Sequence, residues 1–349
     1  MTTSALMPTY ARQPLAFEKG SGVWLYDSDG NAYLDALTGI AVCGLGHAHP
    51  VVAQAIADQA ATLVHTSNLY QVPLQEALGQ ALRDVSGMEL CFFSNSGAEA
   101  NEAAIKLARL FGHQKNVALP EILVMENSFH GRTLATLSAT GNKKVQVGFE
   151  PLVQGFIRVP FGDITAIEQK LAENPNIVAI LVEPIQGEGG IRTAPNGFTY
   201  LEELRAVCDK YDLLMMLDEI QTGNGRTGKY FAYQHTSIKP DVVTTAKGLG
   251  NGFPIGACLV QGKASHLFKA GNHGSTYGGT PLGCRAALTV VQLIQQGASD
   301  NAAVMGNRMI TAFKEALSDL NVEVTGHGLM IGLHLPKPCA ELVGIARDK

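Results

Sequence analysis

The chain has 349 residues, of which 46% are hydrophobic and 16% are charged, and its formal net charge is −5. These values exclude an intrinsically disordered chain, and the length is sufficient for two domains of ordinary size. The acidic balance and the lack of a basic run argue against a nucleic-acid or membrane-surface role, and no apolar stretch reaches the ~18 residues that a membrane span needs.

The N-terminus and the cysteines indicate the cellular compartment of the protein. The first twenty residues lack the apolar core of a secretory signal. The six cysteines are widely scattered, without a CxxC motif or the spacing of a metal site. The sequence therefore predicts a cytoplasmic protein with reduced thiols and no bound metal.

The N-terminal part predicts short elements. A β-hairpin is expected over residues 23–36, because apolar residues lie on both sides of the turn Asp27–Gly30. After the stretch that ends in His47–Pro50, the period of the apolar residues predicts a helix over Val51–Leu63.

From about residue 75 the pattern alternates between helices and short apolar runs. Such alternation predicts an α/β fold, with a mostly parallel sheet covered by helices on both faces. Ligands of such sheets bind beyond the carboxyl ends of the strands. The predicted helices cover 75–85, 98–112, 163–173, 198–211 and 282–297, and the predicted strands are Glu89–Phe93, Ile122–Met125, Ile177–Val182, Leu213–Leu217, Val242–Thr245 and Ala257–Val260.

After about residue 300 the pattern changes to that of a smaller α+β domain. A helix is expected over 303–318, then a strand, a glycine turn at Gly326–Gly328, a second strand over Leu329–Leu335 and a helix from Cys339 to the end of the sequence. The expected organisation is an N-terminal segment of the small domain over 1–58, a large domain over 59–280, and a linking helix with the start of the C-terminal small domain over 281–349.

The first polar cluster follows the predicted strand that ends at Phe93. Ser96 is expected to cap a helix, with Glu99 three residues later in the spacing of a capping box. Gly97 and Ala98 leave the first amides of that helix sterically open, and a helix N-terminus suits a phosphate. A capped helix without any ligand would have the same sequence.

Two further strand ends carry single charged residues. Asp218 follows the run Leu213–Leu217, where it is either a turn residue or a carboxylate that keeps a pyridine nitrogen protonated. Lys247 follows Val242–Thr245 and is flanked by small residues. A lysine in a desolvated pocket can lose its proton and form Schiff bases, whereas most lone lysines are surface charges.

Three loops complete the set of candidates. Phe129 and Arg132 place an aromatic face beside a guanidinium, which binds carboxylates bidentately. Glu188 lies on a glycine-rich loop after Ile177–Val182, and Thr276 offers a hydroxyl on another. A buried aromatic ring, a surface turn and a linker are the plain alternatives, yet such clusters after several strands of one sheet favour a shared site.

Six motifs, in this order along the chain, carry a resemblance to a known family: SNSGAEANEAAIKLAR, FHGRT, EPIQGEGG, LDEIQTG, AKGLGNGFPIGA and HGSTYGGTPL. They resemble the class III aminotransferases, which have the fold type I architecture and depend on pyridoxal 5'-phosphate (PLP). The resemblance runs from about Phe17 to the end of the sequence, and within the family it is greatest to the N-acetylornithine branch.

The resemblance implies roles around the cofactor. Lys247 resembles the lysine that holds PLP as a Schiff base and moves a proton to and from the cofactor's C4′. Asp218 resembles the partner of the pyridine nitrogen, Gln221 the partner of the ring hydroxyl, and Phe129 the residue that stacks on the ring. The other expected cofactor contacts are Ser96, Gly97, Ala98, Glu219, Ile220 and Thr276.

The resemblance also implies a homodimer and a substrate site. Thr276 matches a phosphate contact supplied by the neighbouring subunit. Arg132 is similar to the arginine that binds a substrate carboxylate, and Ser275 is expected beside it. Glu188 is similar to a gate glutamate that screens a second arginine while an ω-amine enters. Chains of the family extend beyond Lys349 and carry that arginine there, so the sequence is expected to be an incomplete record.

The expected reaction is a ping-pong transfer of a δ-amine to 2-oxoglutarate. The stretch Thr38–Val42 lacks the tyrosine with which ornithine aminotransferases hold a free α-amine. This favours N2-acetylornithine as the donor, giving N-acetylglutamate 5-semialdehyde and glutamate in arginine biosynthesis. Ornithine, succinylornithine, succinyldiaminopimelate and 4-aminobutyrate stay open as donors, as do a silent PLP-binding homologue and a racemase or aminomutase of the same fold.

Overall fold

A computed structural model describes residues 5–349 of the chain. Its N-terminal strands form a three-stranded antiparallel sheet in the order β1-β2-β3. The predicted hairpin is confirmed: in its turn, Asp27 Oδ1 accepts a hydrogen bond from the Asn31 amide at 2.8 Å. The twelve strands are β1 (Phe17–Ser21), β2 (Trp24–Asp27), β3 (Ala32–Leu34), β4 (Leu90–Ser94), β5 (Glu121–Met125), β6 (Phe156–Val159), β7 (Ile177–Val182), β8 (Leu214–Asp218), β9 (Val242–Thr245), β10 (Gly256–Val260), β11 (Glu323–His327) and β12 (Met330–His334).

Helices lie between these strands and at the end of the described chain. No helix among residues 5–349 is long and apolar enough to cross a membrane. The helices are α1 (Thr38–Ala41), α2 (Pro50–Thr62), α3 (Pro73–Ser86), α4 (Gly97–Gln114), α5 (Leu134–Ala139), α6 (Ile164–Glu173), α7 (Thr199–Lys210), α8 (Pro281–Leu293), α9 (Ser299–Ala316) and α10 (Ala340–Arg347), with a π-helical turn at Ile294–Ala298 and short 3-10 turns at Lys143–Val145, Ala232–His235, Lys247–Leu249 and Gly262–Ala264.

The central sheet has seven strands in the order β4-β10-β9-β8-β7-β5-β6. Strands β9, β8, β7, β5 and β6 are parallel to one another, and β10 is antiparallel to both β4 and β9. The predicted α/β fold with a mostly parallel sheet is therefore confirmed.

Burial on both faces explains why the strands are apolar throughout. Along β5 and β7, Leu123 and Ile180 pack into one hydrophobic cluster, while Val124 and Leu181 pack into another. Because successive side chains of a strand point to opposite faces, helices must cover both sides of this sheet. The two clusters together fix the sheet as the rigid support of the loops at its ends.

Several predicted boundaries need correction. Gly326 lies within β11 rather than in a turn, and a Cβ on it would overlap the backbone of Met330 in the paired strand. Close approach of β12 thus explains this glycine. The predicted helix over 282–297 ends its α-helical part at Leu293, and the π-helical turn that follows contains Gly297 with φ 118°. Strands β1 and β6 and helix α5 were not predicted.

The strand order brings three polar chain segments to one edge. Strand β4 ends at Ser94, β8 at Asp218 and β9 at Thr245, and these ends lie on the same side of the sheet. Strand β10 runs the opposite way, so it begins at this edge. A Cβ on its first residue, Gly256, would lie 2.6 Å from the Ser96 carbonyl oxygen, and a side chain there would displace the turn before α4.

Candidate active site

A cavity of about 370 Å³ lies at this edge of the central sheet. Most of the residues predicted from the sequence line it. Its wall includes Ser96, Gly97, Ala98, Phe129, Arg132, Glu188, Asp218, Ile220, Gln221 and Lys247, together with Val42, Asn95, His130, Gly131, Glu183, Ala246 and the segment 252–255.

The N-terminus of α4 forms one end of the cavity. The Ser96 side chain accepts a hydrogen bond from the Glu99 amide at 3.2 Å, and Glu99 Oε2 accepts from the Asn95 amide at 2.6 Å. The predicted cap is therefore present, with the glutamate reaching one residue further back. First-turn amides of a helix have no intrahelical partner, so those of Gly97 and Ala98 can serve an anion in the cavity. A Cβ on Gly97 would lie 2.7 Å from Ile220 Cδ1, which leaves no room for a larger residue.

Asp218 lies at the carboxyl end of β8 and is only 3% exposed. Its Oδ2 accepts from Asn101 Nδ2 and lies 2.8 Å from His130 Nδ1, and its Oδ1 accepts from the Ile220 amide at 3.1 Å. The Asn101 side-chain amide and the Ile220 backbone amide can only donate here, and a proton on His130 Nδ1 would make the histidine a third donor. These contacts hold the buried carboxylate in one orientation.

Lys247 opens the 3-10 turn that follows β9, and its φ of 44° lies in the left-handed region. Burial lowers the pKa of its amine below the usual 10.5, while the carboxylates of Asp218, Glu183 and Glu188 act in the opposite direction. The low pKa increases the fraction of neutral amine, which is the nucleophilic form. The strained backbone is held by the adjoining strand, as is common where a side chain must be aimed at a ligand.

The loop after β5 places an aromatic ring and a cation together. The Arg132 guanidinium carbon lies 5.7 Å from the centroid of the Phe129 ring, and Arg132 is exposed at the cavity rim. The Phe129 amide donates to Glu183 Oε1 at 2.8 Å, and the Gly187 amide donates to Glu183 Oε2 at 3.0 Å. Burial raises the pKa of the Glu183 carboxyl to about 7. Glu183 therefore ties the loop that bears Phe129 to the one that bears Glu188.

Three residues expected at the site lie outside the cavity wall. Glu219 is fully buried and accepts from the Ala232 and Tyr233 amides at 2.9 Å each. Ser275 Oγ accepts from the Gly278 amide at 2.9 Å, which shapes its own loop. Thr276 is exposed on that loop.

The sequence interpretation missed other residues of the wall. His130 lies inside the FHGRT motif, and its Nε2 is buried without a hydrogen-bond partner among the described residues. Asn101 does not line the cavity but bonds the wall residue Asp218, and its position one helical turn after Gly97, on the same face of α4, was the available signal. Val42 follows the turn α1, in which φ is positive from Thr38 to Ala41, and nothing in the sequence pattern predicts that turn.

The sequence profile of the family described as "Aminotransferase class-III" matches residues 6–349. The chain belongs to this family. Among its relatives, the acetylornithine aminotransferase of Nitrosomonas europaea is 57% identical over 343 residues, covering 97% of this chain and 87% of the relative. Acetylornithine aminotransferase 1 of Bordetella parapertussis is 49% identical over 349 residues, covering 99% of this chain and 88% of the relative.

Solved structures of class III aminotransferases share the fold. The ornithine aminotransferase of Toxoplasma gondii superposes with a TM-score of 0.91 at 31% identity, covering 95% of this chain and 80% of that one. The acetylornithine aminotransferase of Elizabethkingia anophelis gives a TM-score of 0.85 at 34% identity, covering 95% and 82%. A second structure of the Toxoplasma enzyme has PLP at partial occupancy in its active site. The present chain is a PLP-dependent aminotransferase of fold type I.

The cavity fits this cofactor in shape and in chemistry. Open helix amides suit a phosphate, a buried carboxylate suits a protonated ring nitrogen, and an amine of lowered pKa suits an aldehyde. A Cβ on Gly187 would overlap the Gln221 side chain, so a glycine at position 187 leaves room for the Gln221 side-chain amide at the cavity wall. These groups match the cofactor in kind and number.

Proposed function

We propose that the chain transfers the δ-amino group of N2-acetylornithine to 2-oxoglutarate, giving N-acetylglutamate 5-semialdehyde and glutamate in arginine biosynthesis. The observation that carries this proposal is the near full-length similarity to relatives named acetylornithine aminotransferase, at 57% and 49% identity. Substrates of this class are small molecules that fit a cavity of about 370 Å³.

In this proposal each cofactor contact is made by a named residue. Bound PLP supplies an aldehyde for the amino group and an electron-accepting ring. The amides of Gly97 and Ala98 would hold the phosphate, Phe129 would pack against the ring, and Asp218 would pair with the ring nitrogen. Lys247 would hold the aldehyde group, and its amine would carry the proton that is moved at the substrate carbon. The remaining contacts would be Ser96, Ile220 and Gln221, with Glu219 behind the wall.

The apolar part of the wall favours an acylated donor. Val42, Phe253, Pro254 and Ile255 line the cavity. A free α-ammonium would need an acceptor or a carboxylate there, whereas an amide methyl group is compatible with an apolar wall. In this proposal Arg132 at the rim binds the substrate carboxylate bidentately, Ser275 is a further substrate contact, and Glu188, which lines the cavity, is the gate residue.

The experiment is a half-reaction without acceptor. Protein loaded with PLP is mixed separately with N2-acetylornithine, ornithine, succinylornithine, succinyldiaminopimelate or 4-aminobutyrate, and conversion of the cofactor from its aldehyde to its amine form is followed by absorbance. Fast conversion by N2-acetylornithine, with slow conversion by ornithine, supports the proposal. Faster conversion by another donor moves the enzyme to that substrate, and conversion by none contradicts transaminase function.

We further propose a cytoplasmic homodimer with shared active sites. Thr276 is exposed and lies outside the cavity of its own chain. Near it, Leu69, Tyr70 and Tyr277 expose 89%, 70% and 62% of their surface, and Asn68 Nδ2 donates to the Ser275 and Gly278 carbonyls at 3.0 Å. An apolar patch of this kind marks a protein interface. Sedimentation should give twice the chain mass, and Tyr70→Asp should shift it toward the monomer.

The chain is proposed to divide into an N-terminal segment over 1–58, a PLP-binding domain over 59–280 and a C-terminal part over 281–349. Strands β11 and β12 pair only with each other among the described residues, separately from the seven-stranded sheet. Limited proteolysis of the loaded protein should cut near these boundaries before it cuts the central sheet.

A further inference from the structure

Asn101 is a fully buried amide in the first turns of α4, and both ends of it are bonded. Its Nδ2 donates to Asp218 Oδ2 and to the His130 carbonyl, each at 2.8 Å. Its Oδ1 accepts from Thr244 Oγ1 at 2.7 Å. One side chain therefore joins α4, β8, β9 and the loop after β5.

The chemistry of its partners fixes the orientation of this amide. A carboxylate and a backbone carbonyl can only accept, so the NH₂ group must face Asp218 and His130. The Thr244 hydroxyl then donates to the remaining oxygen. A flipped amide would place two acceptors against each other at two of its three contacts.

We propose that Asn101 is a positioning residue that holds Asp218 in the one orientation in which it would pair with the PLP ring nitrogen. This rests on the proposed role of Asp218. His130 alone would hold Oδ2 by a single bond, whereas Asn101 and His130 together hold it from two elements. The Ile220 amide holds Oδ1, so rotation of the carboxylate breaks at least one bond.

The neutrality of this donor matters as well as its position. Burial raises the pKa of the Glu183 carboxyl, and the nearby Asp218 carboxylate raises it further. A lysine or arginine at position 101 would pair with Asp218 and compete with a protonated ring nitrogen. An amide donates to the carboxylate without adding a competing charge.

The test compares two ligands of the cofactor-free protein: PLP and an analogue whose ring nitrogen is replaced by carbon. Dissociation constants are measured by absorbance for the parent, Asn101→Leu, Asn101→Asp, Asp218→Asn and the control Thr289→Val. Thr289 is a buried residue of α8 whose hydroxyl bonds the Arg285 carbonyl, remote from the cavity wall. Urea unfolding without cofactor reports the folding of each variant.

Loss of a donor to a charged group predicts that Asn101→Leu binds PLP about 10- to 100-fold more weakly. Its affinity for the carbon analogue should change less than about threefold, because the analogue has no ring nitrogen for Asp218 to pair with. Asn101→Asp, which keeps the shape but adds a repelling oxygen, should lose PLP affinity at least as strongly. Thr289→Val should bind both ligands as the parent does.

The outcomes separate this inference from the function on which it rests. If the Asn101 variants lose equal affinity for PLP and for the carbon analogue, or lose none, the positioning role is overturned. If Asp218→Asn also fails to discriminate the two ligands, the proposed partner of the ring nitrogen is wrong as well. Should Asn101→Leu fail to fold, the isosteric Asn101→Asp gives the same comparison.

Discussion

The polar groups at the carboxyl edge of the central sheet are buried and bonded to one another, whereas those compared on the loop over 271–279 are exposed. At the edge, Asp218 and Asn101 are buried and bonded to one another, and Lys247 projects from a strained turn between rigid elements. On the loop, Thr276 and Tyr277 are exposed. The groups at the edge have fixed partners within the chain, whereas the role of Thr276 depends on the proposed second subunit.

Removing the Lys247 amine from the carboxyl edge of the sheet should have the largest effect on activity. Lys247→Ala should reduce kcat on the order of 10⁴-fold, because both the attachment of the cofactor and the proton transfer lose their group. The fold should persist, measured by urea unfolding. The matched control is Lys170→Ala, an exposed lysine on α6, which should retain parent activity. Parent-rate turnover by Lys247→Ala would refute the assignment of this lysine.

Arg132 lies at the exposed rim of the cavity. Arg132→Gln should raise KM for the donor about 10²-fold through loss of a bidentate ion pair, and Arg132→Lys should recover only part of that loss. Initial rates over a range of donor concentrations measure both. PLP affinity serves as the internal control, since a change there of the same size would place Arg132 at the cofactor instead.

Glu219 is the buried neighbour of Asp218 and should behave differently from it. Glu219→Gln places an NH₂ group against at least one backbone donor, which should cost about 1–3 kcal/mol of unfolding free energy. Burial raises the pKa of Glu219 from the ordinary 4.5 to about 7. The Glu219 carboxyl therefore keeps its proton up to about pH 7 in the folded protein but only up to about pH 4.5 in the unfolded chain. The stability that this proton confers on the folded state is lost as the pH rises through 7.

The difference in unfolding free energy between the parent and Glu219→Gln should therefore be larger at pH 5.5 than at pH 8, as measured by urea unfolding of the cofactor-free protein. Glutamine has no proton to lose, so its own stability should not follow this titration. A selective loss of PLP affinity without a loss of stability would instead make Glu219 a direct cofactor contact.

The smallest effect is expected on the loop. Thr276→Ala should weaken PLP binding by up to about tenfold, the worth of one hydrogen bond to a charged phosphate. A mixture of Thr276→Ala and Lys247→Ala chains should form hybrid dimers with one restored site, because each chain then supplies the group that the other lacks. Failure of the mixed dimer to recover parent-like affinity in that site would count against a shared active site.

The sequence was sufficient for the sheet because long apolar runs such as Ile177–Val182 leave few alternatives. It was insufficient for β6, where Arg158 interrupts a short strand. That guanidinium donates to the Thr140 carbonyl at 3.0 Å and also to the Ser138 carbonyl, at the end of α5. These bonds satisfy a half-buried cation through tertiary contacts that no local pattern contains.

The same distinction applies to the site. Asp218 and Lys247 could be predicted because strand ends of a parallel sheet meet at one edge. The bond between Asn101 and Thr244 joins residues 143 positions apart, and it depends on the register of α4 against β9. Spacing along the chain does not determine such a pair, so the support around Asp218 became visible only in the structure.

The most direct test of the central claim is to trap the bond between PLP and the protein. Cofactor-free protein is mixed with PLP across a range of pH, reduced with borohydride and digested, and the labelled peptides are identified by mass. We expect a single major label on Lys247, formed well below pH 10.5 because burial lowers the pKa of its amine. A label spread over exposed lysines, or one main label on a different residue, would contradict it.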